Sequence, residues 1–482
     1  MNFSNSYLQL GEPFYESVAP TPVDDPKLLL WNEPLAAELG IELDPDADAG
    51  YLAEVFSGNR TAPGSSPVAL AYAGHQFGHF VPQLGDGRAH LLGELTDANG
   101  IAQDIQLKGS GRTRFSRGGD GRCGLGPAVR EYIMSEALHA MGVPTARSLA
   151  VVLTGESVLR QTAQPGAVVT RVATSHLRVG TLQYFAARDQ QEQVQALADY
   201  AIERHYPGLQ DNGPNRFLGL LEQVLDRQVR LVTEWMRIGF IHGVMNTDNT
   251  ALSGQTIDYG PCAMMNAFDP ATVYSSIDTL GRYAFGNQPA IAQWNMARLA
   301  ECLLPLVDPD PKAAADRLNP ILQSFADKFR HSWYSMMGRK LGIDDFADSD
   351  QALVDDLLEL MKTHELDYTN TFRKLAQAAD SEDEIPASEL TDWIPAWRKR
   401  VSGQEGGIEA AQRLMAKTNP AVIPRNHHVE AVLADCAQSR AGSCVEPFLG
   451  VLRAPYDPGP EASRYQDPPA DGDRGYQTFC GT

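Results

Sequence analysis

The sequence has few of the features that mark secreted, zinc-binding or membrane proteins. Its six cysteines are scattered over 482 residues without a C-x-x-C pair, which argues against a zinc site and a secreted disulfide framework. The opening residues, MNFSNSYLQLGEPFYESV, lack the basic and apolar regions of a secretory signal. No uninterrupted apolar run reaches the ~18–20 residues that span a bilayer. We therefore expect a cytoplasmic protein without a membrane partner.

Positive charge is also scarce. The chain has 40 Lys and Arg against 61 Asp and Glu, a formal net charge of −21. Binding to a nucleic-acid backbone requires a positive field, so we expect no nucleic-acid partner. A local group of basic residues could still bind a small polyphosphate.

The chain is long enough for two lobes. Hydrophobic residues make up 43% of it and charged residues 21%, a composition typical of globular proteins. Short apolar runs joined by Gly, Asp and Asn turns predict antiparallel strands in the first part, and apolar residues at helical spacing dominate the second. This order predicts an α+β, bilobal fold. We predict an N-terminal arm at residues 1–65, a strand-rich N-lobe at 66–185, a helical C-lobe at 186–452 and a tail at 453–482.

A polar loop follows the strongest predicted helix, at about residues 215–240. In IHGVMNTDNTALSGQTIDYG (241–260), His242, Asn249 and Asp258 have the spacing of the kinase catalytic-loop His, metal-binding Asn and D-F-G Asp. Oxygen ligands of this kind hold Mg²⁺ against phosphates. Val244 occupies the position of the kinase catalytic Asp, and Asp248 is the nearby acid that could accept a proton. The alternative is a surface turn whose Asp and Asn bond to their own backbone.

Two further motifs resemble kinase parts. Lys108 ends the strand-like IQLK, as in the kinase V-A-I-K motif. Glu131 lies on the next predicted helix and is a candidate partner of that lysine, with Glu136 as second choice. The alternative is an ordinary surface salt bridge. GDGR, from Gly85 to Arg88, could present backbone amides to phosphate, although a G-x-G pair is also typical of a hairpin turn.

Arginine and glycine are concentrated in KGSGRTRFSRGGDGRCGLGP (108–127) and around VATSHL (172–177). Guanidinium groups pair bidentately with phosphate, so the loops predict an anion site; ion pairing with the surplus carboxylates is the alternative. The arginines are Arg112, Arg114, Arg117, Arg122, Arg171 and Arg178, with His176 between the last two.

Two other groups of residues are weaker candidates. His75 and His79 in YAGHQFGHF have the i, i+4 spacing of helical metal ligands, but the two glycines disfavour a helix and a structural pair is the preferred interpretation. Cys480 lies third from the end of the sequence and is a candidate redox-sensitive thiol. A disulfide between Cys480 and Cys262 is conceivable.

Together these motifs resemble the selenoprotein O (SelO, YdiU) family over nearly the whole chain. The stretches that resemble it are YAGHQFGHFVPQLGDGRAHLLGE, IQLKGSGRTRFSRGGDGR, REYIMSEALHAMGVPT, TRVATSHLRVG, HGVMNTDN, IDYGP, GRYAFGNQP and the C-terminal Cys480. The resemblance implies a protein-kinase-like fold and an adenylyltransferase that binds ATP in the reverse orientation relative to kinases. It implies AMP transfer to Ser, Thr or Tyr hydroxyls of protein substrates.

The resemblance also implies roles for individual residues. It implies Mg²⁺ as the metal, Asn249 and Asp258 as its ligands, Asp248 as proton acceptor and Glu131 as the partner of Lys108. Some family members have selenocysteine where Cys480 stands. The residues implied to contact ATP are Gly85, Gly87, Arg88, Lys108, Asp120, Gly121, Arg171, Arg178 and Asp258.

Three other functions remain open at this stage. One is a protein uridylyltransferase that uses Mn²⁺, and another is an ordinary kinase. The third is a redox-sensing pseudokinase that binds nucleotide without transferring it. The presence of Lys108, Asp248, Asn249 and Asp258 together favours an enzyme over the last of these.

Overall fold

The computed structural model describes residues 1–380 and 387–479. Ten of the twelve strands in the described residues lie between Tyr15 and Ala173, and helices dominate beyond Ala173. The α+β prediction is confirmed. The strands are β1 (Tyr15–Ser17), β2 (Lys27–Trp31), β3 (Val68–Leu70), β4 (Gly74–Gln76), β5 (His79–Val81), β6 (Ala89–Thr96), β7 (Ala102–Lys108), β8 (Cys123–Gly124), β9 (Arg147–Leu159), β10 (Ala163–Ala173), β11 (Phe240–Ile241) and β12 (Ala263–Met264).

The main sheet has eight strands and is antiparallel throughout. Its order is β1-β3-β6-β7-β10-β9-β2, with the short β8 also pairing with β10. The predicted arm at residues 1–65 supplies both edges, because β1 pairs with β3 and β2 pairs with β9. Two small pairs, β4–β5 and β11–β12, lie outside this sheet.

The helices occupy both lobes, but most lie after the sheet. They are α1 (Glu33–Glu38), α2 (Ala49–Ser57), α3 (Leu125–Ala140), α4 (Val179–Ala186), α5 (Gln191–His205), α6 (Arg216–Ile238), α7 (Gln288–Val307), α8 (Pro311–Lys340), α9 (Gln351–Thr363), α10 (Tyr368–Ala378), α11 (Ile394–Ser402), α12 (Gly407–Thr418), α13 (Asn426–Ser439), α14 (Glu446–Leu452) and α15 (Ser463–Gln466). None of the helices in the described residues is long and apolar enough to cross a membrane.

Two helices position the site described below. Helix α3 packs on β9 and β10 and buries its apolar face, including Val129, Ile133 and Leu138. Helix α6 is amphipathic and lies against α7 and α8; it ends at Gly239, whose left-handed φ of 77° favours glycine. Burial of these faces removes apolar surface from water, the main stabilising term of such packing. The chain leaves α6 directly into β11 and the polar loop.

Helix α4 precedes the predicted lobe boundary at residue 186 but packs against α5 and α7. It begins after Arg178, whose backbone N–H donates to Thr181 Oγ1 at 3.1 Å. The chain therefore enters the helical part with Arg178 at the junction, close to the polar loop.

Candidate active site

A cleft of about 560 Å³ lies between the sheet and the polar loop after α6. All the predicted nucleotide-binding residues, both predicted metal ligands and Asp248 line it: Gly85, Gly87, Arg88, Lys108, Asp120, Gly121, Arg171, Arg178, Asp248, Asn249 and Asp258. Glu131 lies behind Lys108, and Cys480 is outside the described residues.

Lys108 belongs to a buried network of ion pairs at the base of the cleft. Its Nζ donates to Glu131 Oε2 at 2.7 Å and lies 3.4 Å from Asp258 Oδ1. Arg171 bonds to the same glutamate through Nε and through Nη2, the latter at 3.0 Å from Oε2. Glu131 thus contacts Lys108, its predicted partner, and also Arg171. Glu136, the second choice, instead pairs with Arg147 at 2.8 Å.

The carboxylates of this network are ionised. Burial opposes the ionisation of Glu131, but Arg171 and Lys108 lower its pKa to about 2. Desolvation likewise opposes ionisation of Asp258, yet Lys108, Arg171 and Arg88 hold the pKa of Asp258 well below its usual range. Asp258 also has a left-handed φ of 66°, a conformation uncommon outside glycine that is often found at functional sites.

Asp248 has a different environment from Asp258. It lies in a short 3₁₀ turn, Thr247–Asn249, and is buried. Gln76 Nε2 donates to its Oδ2 at 3.1 Å, while Oδ1 is buried with no hydrogen-bond partner among the described residues. Burial raises the pKa of Asp248 to about 6, against the lowering effects of Gln76 and Arg178. A carboxyl group that titrates near neutral pH is suited to accept a proton.

The backbone of the polar loop is held by neighbouring side chains. Arg178 Nη1 donates to the carbonyl oxygen of Asp248 at 3.1 Å. His242 is buried, stacks on Trp235 and bonds through Nε2 to the carbonyl of Ile257, the two atoms being 2.9 Å apart. His242 therefore connects the polar loop to the D-Y-G segment. Val244 is buried and is not among the residues that line the cleft.

Glycines allow close packing where the sequence predicted phosphate contacts. Gly85 has φ +72°, and a Cβ there would lie 2.2 Å from Phe115 Cγ. Gly121 has φ +73°, and its Cβ would lie 2.2 Å from the carbonyl carbon of Gly111. Any side chain at either position would displace the Arg/Gly-rich loop from the cleft wall.

The arginines of that loop divide into two groups. Arg112 and Arg117 line the cleft, while Arg114 donates to the Tyr15 carbonyl at 3.4 Å and lies over the Phe115 ring. Arg122 also reaches the cleft but pairs with Glu156 at 2.8 Å. Arg114 is thus not part of the predicted anion site, because the backbone and the Phe115 ring hold its guanidinium.

Several lining residues were not singled out from the sequence. Arg160, in the turn between β9 and β10, makes a bidentate pair with Asp120 at 2.7 and 3.0 Å. Asp86 is buried under the cleft floor and accepts from the Leu70 N–H at 3.1 Å and from Gln106 at 3.0 Å. The one sequence signal that could have identified Asp86 as a cleft residue is its position inside the GDGR motif. Tyr72 lies under the guanidinium of Arg178 at 4.4 Å.

The predicted histidine pair is located beside the polar loop. His75 is in β4 and His79 in β5, paired across a hairpin rather than along a helix. His75 Nδ1 bonds to Gln183 Nε2 at 2.9 Å. His176 also faces away from the cleft and pairs with Asp104 at 3.2 Å. Within residues 1–380 and 387–479, no group of three or more His, Cys, Asp or Glu side chains could hold a metal ion.

The donor set formed by Asn249 and Asp258 fits a hard cation shared with a nucleotide. Asn249 Nδ2 donates to the Val244 carbonyl at 3.0 Å, which leaves Oδ1 as the atom that can bind a cation. Asp258 is ionised. Mg²⁺ is typically bound by one or two protein oxygens, with phosphate and water completing its octahedron, so two ligands are sufficient here.

The described part of the C-terminal tail packs next to the D-Y-G segment. Thr478 Oγ1 donates to the Pro261 carbonyl at 2.7 Å, and the Thr478 N–H donates to the Tyr274 carbonyl at 2.8 Å. Cys262 is buried, and burial raises the pKa of its thiol to about 12. The disulfide considered between Cys262 and Cys480 involves a residue outside the described ones.

The chain is similar to known proteins over its whole length. A family model described as "Protein adenylyltransferase SelO" matches residues 1–450. Three relatives are each named "Protein nucleotidyltransferase YdiU". The one from Teredinibacter turnerae is 53% identical over 489 residues and covers 100% of both chains. Those from Rhizobium rhizogenes and Shouchella clausii are 51% identical over 488 and 482 residues, covering 100% of this chain and 97% and 99% of theirs.

Proposed function

Because the chain belongs to the SelO family of protein adenylyltransferases, whose fold is kinase-like, we propose that it transfers AMP from ATP to Ser, Thr or Tyr hydroxyls of other proteins. The general activity, nucleotidyl transfer onto proteins, is that of the family. The nucleotide, the metal and the roles of individual residues are the content of the proposal.

The observation that supports it most is the distribution of charge in the cleft. Seven arginines and Lys108 line it, together with four aspartates, in a chain whose net charge is −21. Such a local excess of cations is suited to a triphosphate. The acid beside the metal ligands is Asp248, whereas a kinase would have its base at the position of Val244. The α-phosphorus of ATP, rather than the γ-phosphorus that a kinase transfers, is therefore expected next to the polar loop.

We assign the steps as follows. Asp248 accepts the proton of the acceptor hydroxyl, whose oxygen forms a bond to the α-phosphorus of ATP. The bond between that phosphorus and the bridging oxygen to the β-phosphate breaks, and pyrophosphate leaves. Lys108 and Arg171 stabilise the charge that develops on the phosphate oxygens. Arg112 and Arg117, which line the cleft, hold the leaving pyrophosphate.

Asn249 and Asp258 would hold Mg²⁺ in this scheme. When bound, the ion supplies electrostatic stabilisation of the phosphate charge. Glu131 does not contact the substrate; it holds Lys108 and Arg171 in position.

The test uses ATP labelled at the α- or the γ-phosphate and UTP labelled at the α-phosphate, each with Mg²⁺ or Mn²⁺ and a mixture of acceptor proteins. We expect transfer of label from α-labelled ATP only. Transfer from γ-labelled ATP would identify a kinase, and preferential transfer from UTP with Mn²⁺ would identify a uridylyltransferase.

Two substitutions serve as controls for the site. Asp258→Ala removes a proposed metal ligand and should abolish transfer, while Lys108→Ala should weaken nucleotide binding and slow transfer. Wild-type rates in both variants would refute the assignment of the site. Nucleotide binding by the wild type without transfer from any donor would indicate the non-catalytic regulator.

A further inference from the structure

The hairpin formed by β4 and β5 packs directly along the catalytic loop. Three consecutive residues, 75–77, contact three residues of the loop, 246–248. The His75 N–H donates to Thr247 Oγ1 at 2.7 Å, Gln76 Nε2 donates to Asp248 Oδ2 at 3.1 Å, and the Phe77 N–H donates to Asn246 Oδ1 at 3.2 Å. A segment from the strand-rich lobe thus supports the loop that contains Asp248.

Gln76 differs from its two neighbours in how it makes this contact. His75 and Phe77 donate through backbone N–H groups, which almost any residue could provide. Gln76 donates through its side-chain amide, and both Gln76 and Asp248 line the cleft. The contact therefore depends on the identity of residue 76.

The carboxylate of Asp248 has little else to hold it. Arg178 donates a hydrogen bond to the backbone carbonyl of Asp248 rather than to its carboxylate, and Oδ1 has no hydrogen-bond partner in the described part of the chain. Oδ1 points toward Gly74, where a Cβ would lie 2.5 Å from it. Because Oδ1 is buried in this way and Asp248 lines the cleft, Oδ2 is the oxygen left to meet a substrate, and Gln76 donates a hydrogen bond to it.

We propose that Gln76 is a positioning residue that holds Oδ2 of Asp248 in the cleft, oriented toward the acceptor hydroxyl. This rests on the proposed function, in which Asp248 is the base. One amide donor leaves the other lone pair of Oδ2 available to the hydroxyl. Without that donor, the carboxylate rotates about its broad terminal torsion, and the reacting atoms are less often aligned.

A purely structural role for Gln76 makes a different prediction. If the side chain only supported the hairpin, its loss would weaken nucleotide binding and fold stability together, because the hairpin borders the cleft. If it positions Asp248, its loss lowers kcat and leaves the KM for nucleotide unchanged. The kinetic split therefore distinguishes the two roles.

The experiment compares Gln76→Met, which keeps the length of the side chain but removes its donor, with the wild type. We expect kcat to fall about 10- to 100-fold, the effect of losing a hydrogen bond to a charged group, with KM for nucleotide and the melting temperature unchanged. His79→Ala is the matched control, because His79 is exposed on the other strand of the same hairpin; it should retain wild-type kcat. An unchanged kcat in Gln76→Met, or a loss expressed only in KM, would overturn the proposal.

A second measurement does not depend on transfer activity. Crystal structures of the wild type and Gln76→Met should show the Asp248 carboxylate rotated in the variant and the hairpin in place. A carboxylate that keeps its orientation would refute the positioning role. If the wild type transfers no nucleotide from any donor, the proposed function fails, and the two structures still decide whether Gln76 orients Asp248.

Discussion

Replacing Glu131 with glutamine tests whether the ion-pair network, rather than the packing of α3, supports activity. Glu131 is 2% exposed and forms ion pairs with both Lys108 and Arg171. In Glu131→Gln the two cations would retain, among the described residues, one acidic partner, Asp258, which lies 3.4 Å from Lys108 and 3.6 Å from Arg171. Removing one partner of a buried ion pair costs about 3–5 kcal/mol, and we expect a destabilisation of that order.

The substitution should also lower the rate of transfer, separately from its effect on folding. Lys108 and Arg171 would move toward Asp258, the proposed metal ligand, and away from the phosphate. We expect transfer from α-labelled ATP to fall by about 10²-fold or more, the size of effect seen when a preorganised charge is lost. Initial rates measure the loss of transfer activity, and urea unfolding measures the loss of stability.

Glu136→Gln is the matched control on the same helix. Glu136 is equally buried at 2% exposure but pairs with Arg147, outside the cleft. It should lose comparable stability and keep its activity wherever the protein is folded. Equal losses of activity in the two variants would refute the argument, since the common cause would then be the packing of α3.

Three further predictions follow from the cleft and the sheet. Gly85→Ala should abolish measurable nucleotide binding. Gly100→Ala is the control, because Gly100 also has a positive φ of +80° but no atom within 4 Å of its Cβ, and it should bind nucleotide normally in the same titration. Equal affinities in the two variants would show that the close contact between Gly85 and Phe115 does not matter for binding. The kcat/KM of the wild type should decline as the pH falls through about 6, because protonated Asp248 cannot accept a proton, and a profile flat to pH 5 would exclude it as the base. His90 is buried beside Ser110, and burial together with Arg122 lowers its pKa to about 4. His90 is therefore protonated in the unfolded chain below about pH 6.5 but in the folded protein only below about pH 4. Between these two values, the free energy of unfolding should fall by up to about 1.4 kcal/mol for each pH unit of acidification. His90→Gln should reduce that slope in urea titrations at each pH, and an unchanged slope would contradict the assignment.

The sequence was sufficient for the parts of the site that depend on local spacing. Asn249 and Asp258 follow a recognisable helix within one short segment, and Lys108 ends a strand whose alternation is visible. The choice of Glu131 over Glu136 as the partner of Lys108 agrees with the observed contacts. The family resemblance and the α+β, kinase-like fold are confirmed.

The features missed from the sequence depend on contacts between distant segments. Nothing local in YAGHQFGHF indicates that Gln76 reaches Asp248, because the two lie on different lobes. Arg160 was not singled out from the sequence, and only the folded β9–β10 hairpin brings it to Asp120. Arg114 was included wrongly in the anion site, since the sequence cannot show that its guanidinium faces the Tyr15 carbonyl and the Phe115 ring.

The placement of β1 and β2 at opposite edges of the sheet has a consequence for biosynthesis. Lys27 in β2 pairs with Leu153, and Tyr15 in β1 pairs with Leu70. Both edge strands are therefore synthesised before the strands with which they pair. Until β9 emerges from the ribosome, β2 has no strand with which to pair. Pairing then closes the long loop between β2 and β9, which is slow. Deleting residues 15–31 would leave the edges formed by β3 and β9 uncovered, and such open edges invite pairing with other chains. Truncation at this end is therefore expected to yield aggregates rather than a smaller folded enzyme.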